Sequence, residues 1–430
     1  MLSLSERKQI IDLIHREVVP AMGCTEPMAV SLCVAKATET LGCRPETIDV
    51  QLSANILKNA MGVGIPGTGM VGLPIAIALG ALIGKSEYQL EVLRDVNTDA
   101  VEQGRAYLAL SPIKIGLKAD CPDKLYIEVC VQANGNSATA IIAHDHTHYI
   151  YISRDNEVLL DTQASKHEQE GDATDEQELT LRKVFEFATT SPLEELEFIK
   201  EARRLNENAS REALKGNYGH ALGKTLSRPL GRGIMGDSIF SHILSATSSA
   251  CDARMAGAMI PVMSNSGSGN QGIAATMPVV VFAEENHNTD EELTRALILS
   301  HLTAIYIKQS LGKLSALCGC VVASTGSSCG ITYLMGGNYD QVAYSVKNMI
   351  ANLAGMVCDG AKPSCALKVS SGVSTAVLSA MLAIQNRYVT NVEGLIEDDV
   401  DRCIHNLTRI GADGMNETDQ MVLDIMTHKQ

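Results

Sequence analysis

Apolar residues recur at helical spacing from the first turns of the chain. In MLSLSERKQIIDLIHREVV, Ile10, Ile11, Leu13, Ile14 and Val18 mark one face of an amphipathic helix. After AMGCTEP, the stretch MAVSLCVAKATETLG reads as a second helix ended by glycine, and TIDVQLS alternates as a strand should. MVGLPIAIALGALIG is continuously apolar over fifteen residues, the length of a buried core helix. From Lys114 to Asp161 the period changes to two. IKIGLKA, KLYIEVCVQ, SATAIIAHD, HYIYIS and EVLLD are short β-branched runs, broken by turns at Asn134-Gly135-Asn136 and Asp155-Asn156. An antiparallel sheet is expected there.

His167 to Glu178 is acidic and poor in apolar residues, which predicts a solvated linker or exposed loop. Beyond it the pattern is helical. LEELEFIKEARRLNENASREALK, with Glu and Arg/Lys at i,i+4, predicts a long surface helix. Four later helical runs, the first being IFSHILSATSSACDARMAGAM, are rich in Ala, Ser and Gly. The expected fold class is α+β, with a mainly antiparallel sheet in the N-terminal part and a mostly helical C-terminal part. The expected domains are residues 1–165, carrying Cys24 and a glycine-rich loop, and residues 180–430, carrying the C-terminal cysteines.

Composition narrows the function. The chain has 430 residues, no Trp, 35 Gly and 12 Cys, so its core is built from small and aliphatic side chains. A net charge of −15 leaves no basic face for phosphate, which excludes nucleic acid as a partner. Asn59–Gly84 carries no charge, but Pro66, Pro74 and its many glycines argue against a membrane span. The charged opening segment lacks a signal-peptide stretch, so a cytoplasmic location and reduced thiols are expected. Reduced cysteines in this number are candidates for metal binding or catalysis.

The densest group lies in LCGCVVASTGSSCGITYLMGG and MVCDGAKPSCALK. On an unbroken helix Cys358 and Cys365 would sit about 10.5 Å apart along the axis, too far for one small centre. Gly360 and Pro363 between them predict a loop that can fold both thiols together. Cys318 and Cys320 flank a glycine, and i,i+2 side chains diverge, so one of that pair is expected at the site. Such thiols suit zinc or an iron–sulfur cluster. In Gly23-Cys24-Thr25-Glu26-Pro27, Thr25 could cap a helix, leaving Cys24 at its N-terminus, where the dipole favours thiolate. Such a cysteine could serve as nucleophile or general base. KNAMGVGIPGTG and MSNSGSGNQGI are glycine-rich loops able to cradle a carboxylate, with Lys58, Asn59, Asn265, Ser266 and Asn270 as substrate-binding side chains. His144, His146 and His148 alternate, which in a strand would align them for metal, whereas Asp145 and Thr147 favour a wet hairpin end.

GCTEP, KNAMGVGIPGTG, SNSGSGNQGI, LSALCGC, GITYLMGG and CDGAKPSCALK occur in that order across nearly the whole chain, which thereby resembles the L-cysteine desulfidase family. The second half is similar to the alpha domain of iron–sulfur-dependent L-serine dehydratases. The resemblance implies a [4Fe-4S] cluster on Cys318, Cys358 and Cys365, with one iron open to substrate, and Cys24 as catalytic thiol or base. It further implies breakdown of L-cysteine to sulfide, ammonia and pyruvate without pyridoxal phosphate. The dehydratases end in a cysteine where this chain reads IMTHKQ, which favours the desulfidase. The alternatives are a dehydratase of L-serine or another β-substituted amino acid, and a non-enzymatic zinc- or thiol-binding protein. The expected partner is a small amino-acid substrate, with no nucleic acid and no membrane, and a homo-oligomer stays open.

Overall fold

The computed structural model describes residues 2–110, 112–155, 157–162, 179–312 and 315–428. The acidic stretch His167–Glu178, Asn156 of the second turn and Leu314 of LSALCGC lie outside them.

The fold is α+β. α1 (Leu4–Glu17) starts at a capping box in which Ser3 and Glu6 satisfy each other's backbone amides. The short β1 (Pro20–Ala21) leads to α2 (Thr25–Leu41), stopped by Gly42 in the left-handed region at φ 82°. β2 (Thr47–Leu52), α3 (Ala54–Ala60), the small hairpin β3 (Gly64–Ile65) and β4 (Met70–Val71), α4 (Leu73–Leu82) and α5 (Thr98–Ala109) follow. The uncharged run Asn59–Gly84 is therefore divided between the end of α3, the hairpin and α4. α4 itself is only ten residues long and buried.

Strands β5 (Ile113–Leu117), β6 (Tyr126–Ala133), β7 (Asn136–Ala143), β8 (Tyr149–Arg154) and β9 (Glu157–Asp161) join β2 in a six-stranded sheet ordered β5-β2-β6-β7-β8-β9. All neighbours are antiparallel except β2 and β5, which run parallel. That one departure from an antiparallel sheet has a simple cause. The chain between β2 and β5 holds three helices, a connection long enough to return to the same end of the sheet. The β6–β7 turn is as expected, with Asn134 and Gly135 at φ 51° and 78° and Ala133 paired with Asn136. α2 packs between the sheet and α4 and is buried almost all round. A Cβ on Gly80 of α4 would lie 2.7 Å from the Ser31 carbonyl oxygen, so close approach of the two helices needs glycine.

The second part is helical. It comprises α6 (Leu181–Thr190), α7 (Lys200–Lys215), α8 (Leu222–Ser227), α9 (Pro229–Met235), α10 (Ile239–Met255), the short β10 (Val262–Met263), α11 (Gly269–Glu285), α12 (Asp290–Leu311), α13 (Gly319–Leu334), α14 (Tyr339–Leu353), α15 (Cys365–Ile384), α16 (Val400–Arg409) and α17 (Asn416–Thr427). α13 is the central rod, packed against α11, α12, α14 and α15. Its sequence, GCVVASTGSSCGITYL, explains this. Gly326 allows contact with the Ser300 carbonyl, where a Cβ would come within 2.2 Å. The buried hydroxyls of Thr325, Ser328 and Thr332 donate to carbonyls of their own helix at 2.7–2.8 Å, so these small polar residues enter the core with their donors satisfied.

Two expectations are corrected here. The long surface helix begins only at Lys200. Before it, Leu193, Leu196 and Ile199 recur every third residue and form 3₁₀ turns, with Leu196 and Ile199 buried. α7 itself buries Ala202, Leu205, Asn206, Ala209, Ser210 and Ala213, so it is half core helix. Among the described residues one helix, α15, is long and apolar enough to cross a membrane, and 50% of that window is buried inside the protein.

The two parts are laced together. Ile10, Leu13, Ile14 and Val18 of α1 belong to the core of the helical part. β1 pairs with β10, Pro20 opposite Met263, and Lys58 of α3 forms an ion pair with Asp419 of α17. These ties bring the start of α2, α3 and the loop before α11 to the same place as the C-terminal cysteines.

Candidate functional site

A cavity of about 420 Å³ opens where these segments meet. Its wall includes Cys24, Glu26, Asn59, Arg254, Ser266, Asn270, Gln271, Lys308, Cys318, Cys320, Cys358, Cys365 and Lys368. Two cysteine-bearing segments are zipped side by side there. Leu317 and Val357 form an antiparallel bridge, the Cys318 amide donates to Met356 O at 2.9 Å, and the Cys358 amide donates to Ala316 O at 2.6 Å. Cys318 then caps the start of α13 and Cys365 opens α15.

The loop between Cys358 and Cys365 is the one predicted from Gly360 and Pro363. Gly360 has φ 85°, and a Cβ there would lie 2.1 Å from the Lys58 carbonyl oxygen, so only glycine fits. Asp359 braces the loop. Burial pushes its carboxyl up, but hydrogen bonds and charge from Lys362 and Lys368 hold it down at about 2. Lys368 also donates to Val357 O at 2.7 Å.

The expectation that only one of Cys318 and Cys320 faces the site is not met. Both reach the cavity wall, with sulfurs 3.4 Å apart, because the turn into α13 brings i,i+2 side chains together. Cys320 is engaged elsewhere, at 3.3 Å from Met356 Sδ and 3.5 Å from Lys368 O. The Cys318 thiol is pushed up by its hydrogen bond to Cys320, and Cys358 is pushed up by its contact with Cys318 and by burial. Burial raises Cys365 as well.

Cys24 also lies in the wall, and it, not Thr25, is the N-cap of α2. Thr25 instead donates to Gly267 O at 3.1 Å. The expected low thiol pKa is overturned. Burial raises Cys24 well above its ordinary value, and the charge of Glu26 adds to this, outweighing Arg254. The Cys24 thiol donates to Glu26 Oε2 at 2.9 Å, and Asn59 Nδ2 donates to Glu26 Oε1 at 3.1 Å.

The substrate-binding residues read from the glycine loops divide into two groups. Asn59, Ser266 and Asn270 line the cavity. Lys58 does not: its amine is buried against Asp419, because the following backbone turns into the hairpin and leaves the side chain on the α17 side. Asn265 lies behind the wall. Its Nδ2 donates to His301 Nδ1 and His301 O at 3.1 Å each, and its Oδ1 accepts from Ser266 Oγ at 2.9 Å. His144, His146 and His148 fall in the β7–β8 turn rather than a strand. His144 pairs with Asp123, and only His146 lies in the cavity wall.

Arg254, Gln271 and Lys308 were not singled out from the sequence. Arg254 and Lys308 had a readable signal, each being a cation with mostly small or apolar neighbours in its helix. Burial lowers Lys308 to about 8, against the opposing pull of Cys358 and Cys318.

All twelve cysteines are free thiols; Cys33, Cys251, Cys329 and Cys403 are buried in packing, whereas Cys43 is exposed. Among the described residues no three His, Cys, Asp or Glu side chains are close enough to hold a single metal ion. A cubane cluster spreads its thiolates wider than one ion does. Three cysteines from two segments around a common cavity, with Lys308 and Lys368 beside them, fit its donor chemistry.

The chain belongs to the serine dehydratase alpha chain family, which matches residues 87–424. It is similar to a UPF0597 protein of Bacteroides thetaiotaomicron, 71% identical over 425 residues and 99% of each chain. UPF0597 proteins of Porphyromonas gingivalis and Oleidesulfovibrio alaskensis are 53% and 47% identical, again over 99% of each chain. The C-terminal cysteines fall inside the matched range, whereas Cys24, Glu26 and Asn59 precede it.

Proposed function

For this member of the serine dehydratase alpha chain family, we propose a cytoplasmic lyase that degrades L-cysteine to sulfide, ammonia and pyruvate at a [4Fe-4S] cluster held by Cys318, Cys358 and Cys365. Family membership supports a dehydratase-type lyase. The observation that carries the finer reading is the meeting of those three thiols with Cys24 on one cavity of about 420 Å³. A cluster bound there supplies a Lewis acid at an iron without a protein ligand.

The chain's own residues handle the protons. β-Elimination removes the α-proton and releases the β-substituent. Cys24 stands protonated, with Glu26 as the acceptor of its proton. Transfer to Glu26 leaves a thiolate able to take the α-proton, and Asn59 holds the other Glu26 oxygen so that the carboxylate stays aimed at sulfur. Lys308, buried beside Cys318 and Cys358, can give a proton to the departing sulfide. The released 2-aminoacrylate tautomerises and hydrolyses in water to pyruvate and ammonia. The sulfur-rich wall, where Met22 and Met28 join the cysteines, supports a soft thiol leaving group over a hydroxyl.

Anaerobic purification tests this. The protein should be brown, contain iron and acid-labile sulfide, and form sulfide from L-cysteine, with Cys358→Ala losing both colour and turnover. A colourless preparation with full activity would exclude the cluster. Tight zinc without lyase activity would point instead to a metal-binding protein. The family's description favours a second reading, dehydration of L-serine. Pyruvate formation from L-cysteine and L-serine at equal concentration separates the two.

A further inference from the structure

We propose that Arg254, Asn270 and Gln271 form the head-group subsite of the cavity, with Arg254 binding the α-carboxylate and the two amide oxygens accepting from the α-ammonium. The inference rests on the reading of this cavity as an amino-acid site and assigns the residues that hold the head group.

Arg254 sits near the end of α10 at 3% exposure, in the cavity wall. Among the described residues it has no carboxylate partner, and its Nε has no hydrogen-bond acceptor. An isolated buried guanidinium is costly, so its natural complement is an anion that arrives from outside. The local backbone is shaped to hold it. A Cβ on Gly269 would lie 2.2 Å from Arg254 Nε, so the side chain crosses bare glycine at the first turn of α11. That turn adds the positive end of a seventeen-residue helix.

Two further polar atoms in the same wall are unsatisfied. Gln271 is 4% exposed and its Oε1 has no donor; the side chain lies against Gly319, where a Cβ would be 2.8 Å from its Cδ. Asn270 Nδ2 reaches Met255 Sδ at 3.3 Å, leaving Oδ1 without a donor. A cation beside two lone acceptors is a pattern for a zwitterion. A phosphate or simple carboxylate would use the arginine and leave both acceptors idle, whereas an α-amino acid uses all three. A guanidinium fork also matches carboxylate geometry.

The test uses ligands that have no β-leaving group, so that binding is read without turnover. Anaerobic holoenzyme is titrated calorimetrically with L-alanine, propionate and ethylamine. L-Alanine should bind at least about tenfold more tightly than either fragment, the effect of one charge-assisted hydrogen bond. Arg254→Gln should weaken L-alanine by about tenfold or more while leaving ethylamine unchanged, and Gln271→Met should weaken L-alanine but not propionate. Equal binding of the three ligands, no binding of L-alanine, or wild-type affinity in Arg254→Gln overturns the subsite. If Arg254→Gln fails to fold, the wild-type comparison and Gln271→Met still decide. Binding as expected in a protein that forms no pyruvate would remove the lyase reading and keep the subsite; turnover without this ligand preference would do the reverse.

Discussion

Cys24 donates its thiol proton to Glu26 Oε2 at 2.9 Å across the first turn of α2, and that contact keeps the sulfur protonated rather than ionised. Because burial and Glu26 raise the Cys24 pKa, the thiolate fraction grows as pH rises, so turnover should increase toward alkaline pH. Cys24→Ala should lower kcat by about 10²–10⁴, the usual worth of a positioned acid–base group, with iron content unchanged. Glu26→Gln removes the charge that raises the thiol, so the rise in turnover should move to lower pH, with a lower maximal rate because the proton acceptor is gone. Equal rates for Cys24→Ala and wild type, iron being equal, would dismiss Cys24 from the chemistry.

Much of this arrangement was legible in the chain, and the exceptions have physical causes. Gly360 and Pro363 announced the loop between two cysteines, and Asn134-Gly135 announced a hairpin turn, because these residues fix local backbone geometry. Cys24 was misjudged because a helix dipole can be read from a capped start, while burial and the tertiary position of Glu26 cannot. Lys58 was misjudged for a related reason, since its partner Asp419 lies 361 residues away. The parallel placement of β5 beside β2 depended on the helices between them, which strand periodicity does not report. Arg254 shows the opposite case: a cation near the end of a helix of small residues was visible and carried a meaning that only the cavity supplied.

The ion pair between Lys58 and Asp419 joins α3 to α17, with the lysine side chain 1% exposed. Removing the acid leaves a buried ammonium without compensation. Asp419→Ala should therefore destabilise the protein by about 3–5 kcal/mol. The double change Lys58→Met with Asp419→Leu should recover most of that loss, because it removes the charge as well as its partner. Chemical denaturation of the metal-free forms measures both; a single variant as stable as wild type would show that α17 contributes no necessary charge.

Gly360 combines a left-handed backbone with contact against the Lys58 carbonyl, so Gly360→Ala is strained twice over. Strain of this kind costs about 1–3 kcal/mol. Its relief should shift the segment between Cys358 and Cys365, not the helices. The expected outcome is a modest drop in melting temperature for the metal-free protein together with a large fall in bound iron after reconstitution. Wild-type iron content in a folded Gly360→Ala protein would mean that the loop does not set ligand geometry.

His301 is fully buried behind the cavity wall, and burial lowers its pKa to about 3. Thr276 Oγ1 donates to Gly272 O at 2.7 Å, so it accepts from His301 Nε2 at 2.9 Å; Nδ1 is left to accept from Asn265 Nδ2 at 3.1 Å. The neutral ring therefore fixes Asn265 and, through it, Ser266 in the wall. Protonation would place two donors face to face. The unfolded histidine binds its proton near pH 6.5, whereas the folded one stays neutral down to about 3. The unfolded state thus binds more protons across that window, and stability falls as pH drops below 6.5, by about 1.4 kcal/mol per unit. Between pH 6.5 and 5, where Asp252, raised by burial to about 6, titrates alike in both proteins, wild type should lose about 1.7 kcal/mol more than His301→Gln, which keeps a donor near Nε2 but cannot be protonated. Urea unfolding of both metal-free proteins at those two pH values gives the comparison, and parallel losses in the two proteins would remove His301 as the source of acid sensitivity.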